Sequence, residues 1–162
     1  MASSVVNLRV NARLREFLAP PGTSLLSSLR DALGLTAAKR GCAQGSCGTC
    51  TVLLDGRPVM SCLVAVETVD GADVRTLEGL ARNGAGGEQL DEVQSAFLDG
   101  FATQCGFCTP GMIMAAEALL DRNPDPTRDD VLAAISGNVC RCTGYGPIVA
   151  AILDAAERRR NR

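Results

Sequence analysis

The 162-residue chain has no histidine and no tryptophan, one tyrosine and four phenylalanines. Without histidine there is no Ser-His-Asp or Cys-His catalysis, no Cys₂His₂ zinc finger, no His-ligated haem and no Rieske-type cluster. Aromatics at 3% leave no stacking platform for single-stranded nucleic acid. Sixteen basic and eighteen acidic residues give a formal charge of −2, which implies no polyanionic partner. No apolar run reaches the ~18–20 residues that span a bilayer. The opening residues, Met1 to Val6, carry no basic n-region, long apolar h-region or twin arginine of an export signal. The expectation is a cytoplasmic protein with no membrane span and no nucleic-acid partner. In that compartment thiols stay reduced unless a metal takes them.

What is present is a packed-core composition, 46% hydrophobic and 21% charged, with eight cysteines. Cysteine at about 5% falls below the roughly 8–10% of a disulfide scaffold. Val6, Leu8 and Val10 alternate with Asn7 and Arg9, the period of a half-buried strand. Leu14 to Leu18 returns as a second arm after a turn near Asn11-Ala12. Beyond Pro20-Pro21-Gly22, Thr23 or Ser24 caps a helix carrying Leu25, Leu26, Leu29 and Leu33, which Gly34 stops. A glycine-rich loop runs from Gly41 to Gly48. Thr51 to Leu54, an Asp55-Gly56 turn and Val59 to Val66 predict another hairpin.

From about Leu77 the pattern turns helical. Leu90, Val93, Phe97, Leu98 and Phe101 place a helix over 89–101. Pro110 opens a helix to about Asp121, Thr127 to Asp130 starts one through Ile135, and Pro147 opens the last. Two domains are expected, 1–78 and 79–162. Gly84-Ala85-Gly86-Gly87 follows no strand and lacks a Lys-Ser/Thr ending, so it reads as a linker and not a phosphate loop. Arg158-Arg159-Arg160 reads as a solvated tail suited to a helix C-terminus. A weak repeat relates Cys108 to Ala116 with Cys142 to Ala151: cysteine, threonine as a possible cap, Gly/Pro turn, apolar helix. Two such units could bring both cysteine pairs together.

Cys42, Cys47, Cys50 and Cys62 are spaced C-x₄-C-x₂-C-x₁₁-C, and the first three match the plant-type 2Fe–2S pattern. An anionic cluster needs backbone N–H groups near its sulfurs, and Gly41, Gly45 and Gly48 let the loop wrap closely. A Cys₄ zinc site is the rival, because spacing alone does not name the metal. Cys105, Cys108, Cys140 and Cys142 give C-x₂-C-x₃₁-C-x-C, with helix starts just beyond both pairs. Those helix N-termini favour a negative centre, and C-x-C is tight for a zinc ribbon. This set also reads as a metal cluster.

Three segments in order, Gly41 to Val52, Gln104 to Met112 and Gly137 to Tyr145, resemble the iron–sulfur subunit of the molybdenum hydroxylases. That family includes xanthine dehydrogenase, aldehyde oxidase and aerobic carbon monoxide dehydrogenase, and the likeness covers essentially the whole chain. It implies an α+β protein, an N-terminal β-grasp (plant-ferredoxin-like) domain followed by a C-terminal four-helix bundle. Each would hold one 2Fe–2S cluster on the ligand sets above. It implies a large partner subunit bearing molybdopterin, and a medium FAD subunit (or a haem domain) as next carrier, in a dimer of heterotrimers. Gln104 and Cys142 correspond to residues beside the pterin. Arg141 either offsets cluster charge or is exposed, and Tyr145 either packs at an interface or serves a local turn. The expected function is electron relay, with a free-standing two-cluster ferredoxin or a two-zinc structural protein as alternatives.

Overall fold

The computed structural model describes residues 2–84 and 87–162. In chain order these form β1 (Ser4–Val10), β2 (Arg13–Ala19), α1 (Leu25–Ser27), β3 (Thr51–Leu54), β4 (Arg57–Met60) and β5 (Asp73–Arg75). A short hairpin of β6 (Arg82–Gly84) and β7 (Gly87–Gln89) follows. The rest is helical: α2 (Glu92–Asp99), α3 (Thr109–Arg122), α4 (Arg128–Ile135) and α5 (Gly146–Arg160). Strands thus precede helices in an α+β arrangement. The expected linker does follow a strand, with Gly84 and Gly87 pairing across this hairpin, while Ala85 and Gly86 at its centre lie outside the described residues.

The first hairpin pairs Ser4 with Ala19 and Val10 with Arg13. Asn11 and Ala12 turn it at φ of 50° and 62°, the left-handed pair that a two-residue hairpin loop requires. The Asn11 amide then ties the turn to the end of the neighbouring strand β5, donating to Thr76 Oγ1 at 3.0 Å and accepting from Thr76 N at 2.9 Å. Sheet order is β2-β1-β5-β3-β4, with β1 and β5 parallel and the other pairs antiparallel. Val6, Leu8 and Val10 share one buried core with Leu25, Leu26 and Leu29. Each such side chain contributes about 1.5–3 kcal/mol by leaving water.

Two departures from the sequence reading shape the first half. The leucine run is helical but not uniformly α: Ser24 caps α1 by accepting from Ser27 N, and Ser28–Ala32 widens into a π-turn. The second hairpin's return arm, expected to reach Val66, ends at Met60. Ser61 donates from both N and Oγ to Cys50 O, at 3.3 and 2.7 Å, which bends Ser61–Leu63 into a 3₁₀ turn. That bend turns Cys62 back toward Cys50.

β3 is covered on both faces, which is why Thr51 to Leu54 is a continuous apolar run and not an alternating one. Val52 belongs to the first core and Leu53 to a second, built from α2 to α5. Within that second core Phe97, Met112, Met114, Ile148 and Ile152 are fully buried. Helix α2 is shorter than the expected 89–101: Asp91 and Gln94 form its capping box, and Leu90, Leu98 and Phe101 are exposed. Helix α4 starts on the Thr127/Asp130 capping box. Neither Thr109 nor Thr143 caps a helix. Thr109 already lies inside α3, and α5 begins behind Tyr145, which sits at φ 68°.

The terminal arginines form ion pairs where a solvated tail was expected. The last turn of α5 lies against neighbouring helices, so Arg158 meets Asp99 and Asp154, Arg159 meets Glu117, and Arg160 meets Asp125. Glu117 is buried on α3 and lies 3.7 Å from Arg75 of β5 as well. Asp91, Asp121 and Arg162 join these residues around a cavity of about 540 Å³. Burial first, then repulsion from Asp91, pushes the Glu117 carboxyl up to about 8, against the pull of Arg159 and Arg75. The folded chain therefore holds this proton more tightly than the unfolded chain. Its contribution is complete below the ordinary value of 4.5 and is lost as pH rises through about 8. Thermal unfolding between roughly pH 6 and pH 8.5 should shift to lower temperature, and Glu117→Gln should flatten that shift. Identical slopes in both proteins would refute the assignment.

Candidate iron–sulfur sites

The first cysteine set sits where the long loop after α1 enters β3. Cys42 and Cys47 are half-buried on the loop, Cys50 is buried immediately before β3, and Cys62 lies in the 3₁₀ turn after β4. Cys42 and Cys47 are neighbours, as are Cys50 and Cys62. The Ser46 hydroxyl, the N–H groups of Gln44 and Ser46 and the Cys47 thiol hold Cys42 down to about 5. Ser46 N lies 3.3 Å from Cys42 Sγ. Burial, followed by the neighbouring Cys62, pushes Cys50 up to about 11. Cys42 therefore favours thiolate by itself, whereas Cys50 needs a bound metal to become thiolate.

The glycines of this loop are confined by contacts. A Cβ on Gly41 would lie 2.7 Å from Thr49 Oγ1 and 2.9 Å from Cys47 Sγ. Gly45, at φ 77°, is covered by Leu63. Gly48 has φ 68° and abuts the second half, where a Cβ would overlap Gly137 O and approach Asn138 Nδ2 at 2.7 Å.

The second set is split by depth. Cys105 and Cys142 are exposed with their sulfurs 3.6 Å apart, while Cys108 and Cys140 lie deeper. Burial raises Cys108 to about 12, with Cys140 and Cys105 adding to the rise. Burial also acts against the Cys140 thiolate, but the Thr143 hydroxyl and N–H, the Cys142 N–H and the Cys108 thiol bring it down to about 7. Helices α3 and α5 start one and four residues beyond Cys108 and Cys142, so their N-terminal dipoles lie close to this set in the chain.

Gln104 is exposed and donates from Nε2 to Cys142 O at 3.2 Å. Arg141 is exposed. Tyr145 serves the local turn, its hydroxyl accepting from Cys140 N at 2.9 Å and donating to Asn138 O at 3.4 Å. Three other contributors had not been read as site residues from sequence. Thr49 and Thr143 each place a hydroxyl 3.2 Å from a cysteine sulfur, Cys47 and Cys140 respectively. A threonine two or three residues after a cysteine was the available signal. Asn138 offered none, because its partners are about ninety residues away.

The two sets meet. Cys47 and Thr49 from the first loop and Cys105, Cys108, Cys140 and Cys142 from the second line one cavity of about 280 Å³. Val139 N donates to Cys47 O at 2.9 Å, directly linking a residue beside Cys140 to a cysteine of the first set. No three Cys, Asp or Glu side chains among the described residues converge as a single-ion site. Four thiols per set is the complement that a two-iron centre takes, with two cysteines per iron. All-thiolate donors, close N–H groups and glycine-lined walls fit such a group.

Residues 8–82 match the family described as 2Fe-2S iron-sulfur cluster binding domain, and residues 76–153 match the [2Fe-2S] binding domain family. The nicotinate dehydrogenase small FeS subunit of Eubacterium barkeri is 45% identical over 161 residues, covering 99% of this chain and all of that one. The xanthine dehydrogenase iron-sulfur-binding subunit of Escherichia coli O157:H7 is 42% identical, covering 95% of each. The solved structure of quinoline 2-oxidoreductase from Pseudomonas putida 86 superposes with a TM-score of 0.93 at 42% identity, covering 99% of this chain and 98% of that chain. Fold and matched families together define a carrier of two 2Fe–2S clusters. The chain belongs to the family of small iron–sulfur subunits of the molybdenum hydroxylases, and is the electron-relay part of such an oxidoreductase.

Proposed function

We propose that Cys42, Cys47, Cys50 and Cys62 hold the first cluster and Cys105, Cys108, Cys140 and Cys142 the second. The convergence of Cys47 with Cys105, Cys108, Cys140 and Cys142 on one cavity, and the match of both halves to 2Fe-2S binding families, carry this reading. When bound, each cluster supplies a one-electron redox couple. The chain's own residues do the rest. N–H groups and hydroxyls of Ser46, Thr49 and Thr143 stabilise the thiolates, and the Val139–Cys47 hydrogen bond keeps the two loops adjacent.

The second cluster faces a large molybdopterin-bearing subunit, with Gln104 and Cys142 beside the pterin. The exposure of Gln104, Cys105 and Cys142, together with exposed Phe107 and Val139, supports that orientation. The first cluster passes electrons to FAD on a medium subunit, in a cytoplasmic dimer of heterotrimers. The domains are 1–78, a β-grasp, and 79–162, a four-helix bundle. The parallel β1–β5 pair under α1 and the separate core of α2 to α5 support the division.

Purified from its native source, the chain should co-elute with a molybdenum-containing large subunit and carry about four iron and four sulfide. A protein with about two zinc and neither iron nor sulfide, or one found only as a partnerless monomer, would overturn the reading.

A further inference from the structure

Two loops from opposite halves of the chain meet at one buried amide. Asn138 is 6% exposed. Its Nδ2 donates to Gly48 O at 2.9 Å and to Thr51 Oγ1 at 3.3 Å. Its backbone N donates to Ile135 O at 2.8 Å, so the residue is anchored to the end of α4. Its carbonyl accepts the Tyr145 hydroxyl, which in turn holds Cys140 N. One residue along, Val139 N donates to Cys47 O. Gly111 of α3 also presses on Gly48 O, so closely that no Cβ fits between them. Asn138 thus connects the backbone beside Cys47 and Cys50 to the backbone that carries Cys140.

We infer that Asn138 is a positioning residue that fixes the two cysteine loops relative to one another and thereby sets the electronic coupling between the clusters. The inference rests on the two ligand sets proposed above. The transfer it serves moves one electron, oxidising one cluster as it reduces the other, and no bond forms or breaks. Neither thiol set depends on Asn138 for a ligand, so its removal separates coupling from cluster binding.

The test uses the intact complex carrying Asn138→Ala, reduced with dithionite and examined by low-temperature electron paramagnetic resonance. Both cluster signals should remain, while the spin–spin splitting between them changes and electron exchange between the centres slows roughly tenfold, as expected when a geometry-dependent step loses its alignment. Two signals with unaltered splitting and rate overturn the inference. If Asn138→Ala does not assemble, Thr51→Val decides. It keeps the side-chain volume but removes the second acceptor of Asn138 and a donor to Gly48 O. A smaller change in splitting supports the role, and no change rejects it. A wild-type protein lacking two iron–sulfur signals would instead overturn the functional reading on which this one stands.

Discussion

Cys108→Ser should remove the second cluster and leave the first loaded, so that iron and sulfide each fall by about two per chain. Cys108 lies inside the second set, where burial has already pushed its thiol up to about 12. Only a metal that binds sulfur strongly offsets that cost, and a serine oxygen is a far poorer ligand for iron. Cys47→Ser should do the reverse, losing the first cluster and sparing the second. Its backbone carbonyl still receives Val139 N, so the loops remain joined. In both variants, transfer from the substrate side to the final acceptor should drop to background. Electron paramagnetic resonance with metal analysis distinguishes the two. If each variant kept both clusters, the division of the cysteines into these two sets would fall.

The second large effect is steric. Gly111 lies in the first turn of α3, where alanine ordinarily stabilises a helix by about 0.5–1 kcal/mol over glycine. Here the added methyl would strike Gly48 O and sit 3.1 Å from Asn138 Nδ2. Gly48 O is backbone and the Asn138 amide is held by its bonds to Gly48 and Thr51, so the seam itself has to open. Overpacking of this kind costs about 1–3 kcal/mol, which outweighs the propensity gain. The unfolding midpoint of Gly111→Ala should fall by roughly 2–10 °C for a chain of this size. Gly146→Ala, at the start of α5 with open space around it, should leave the midpoint unchanged or raise it. A Gly111→Ala protein as stable as the wild type would show that the seam yields.

Local pattern carried most of the elements. Alternation at Val6, Leu8 and Val10 marked β1, and Pro110, Thr127 and Pro147 marked the helix starts, because caps and periodicity act within a few residues. The cysteine spacings likewise marked the loops that carry the thiols. What escaped depended on distant partners. Val59 to Val66 looked like one strand because the Ser61–Cys50 bonds that end it are tertiary. Leu98 and Phe101 had helical spacing but no surface to pack on. Arg158 to Arg160 looked like a free tail, since Asp99, Glu117 and Asp125 approach only after folding. Glu117 itself, alone in the apolar run of α3, was a visible warning that a buried carboxyl needed partners.

The Asn138–Gly48 contact also orders events in time. The β1–β2 hairpin needs only the first 19 residues, but β1 waits for β5, and Arg9 pairs with Asp73. Contacts separated by long stretches of chain form late, because loop closure costs entropy before it is repaid. Residue 138 arrives later still during synthesis. A ribosome-bound chain stalled before it would display the first cysteine loop without the strut that covers Gly48.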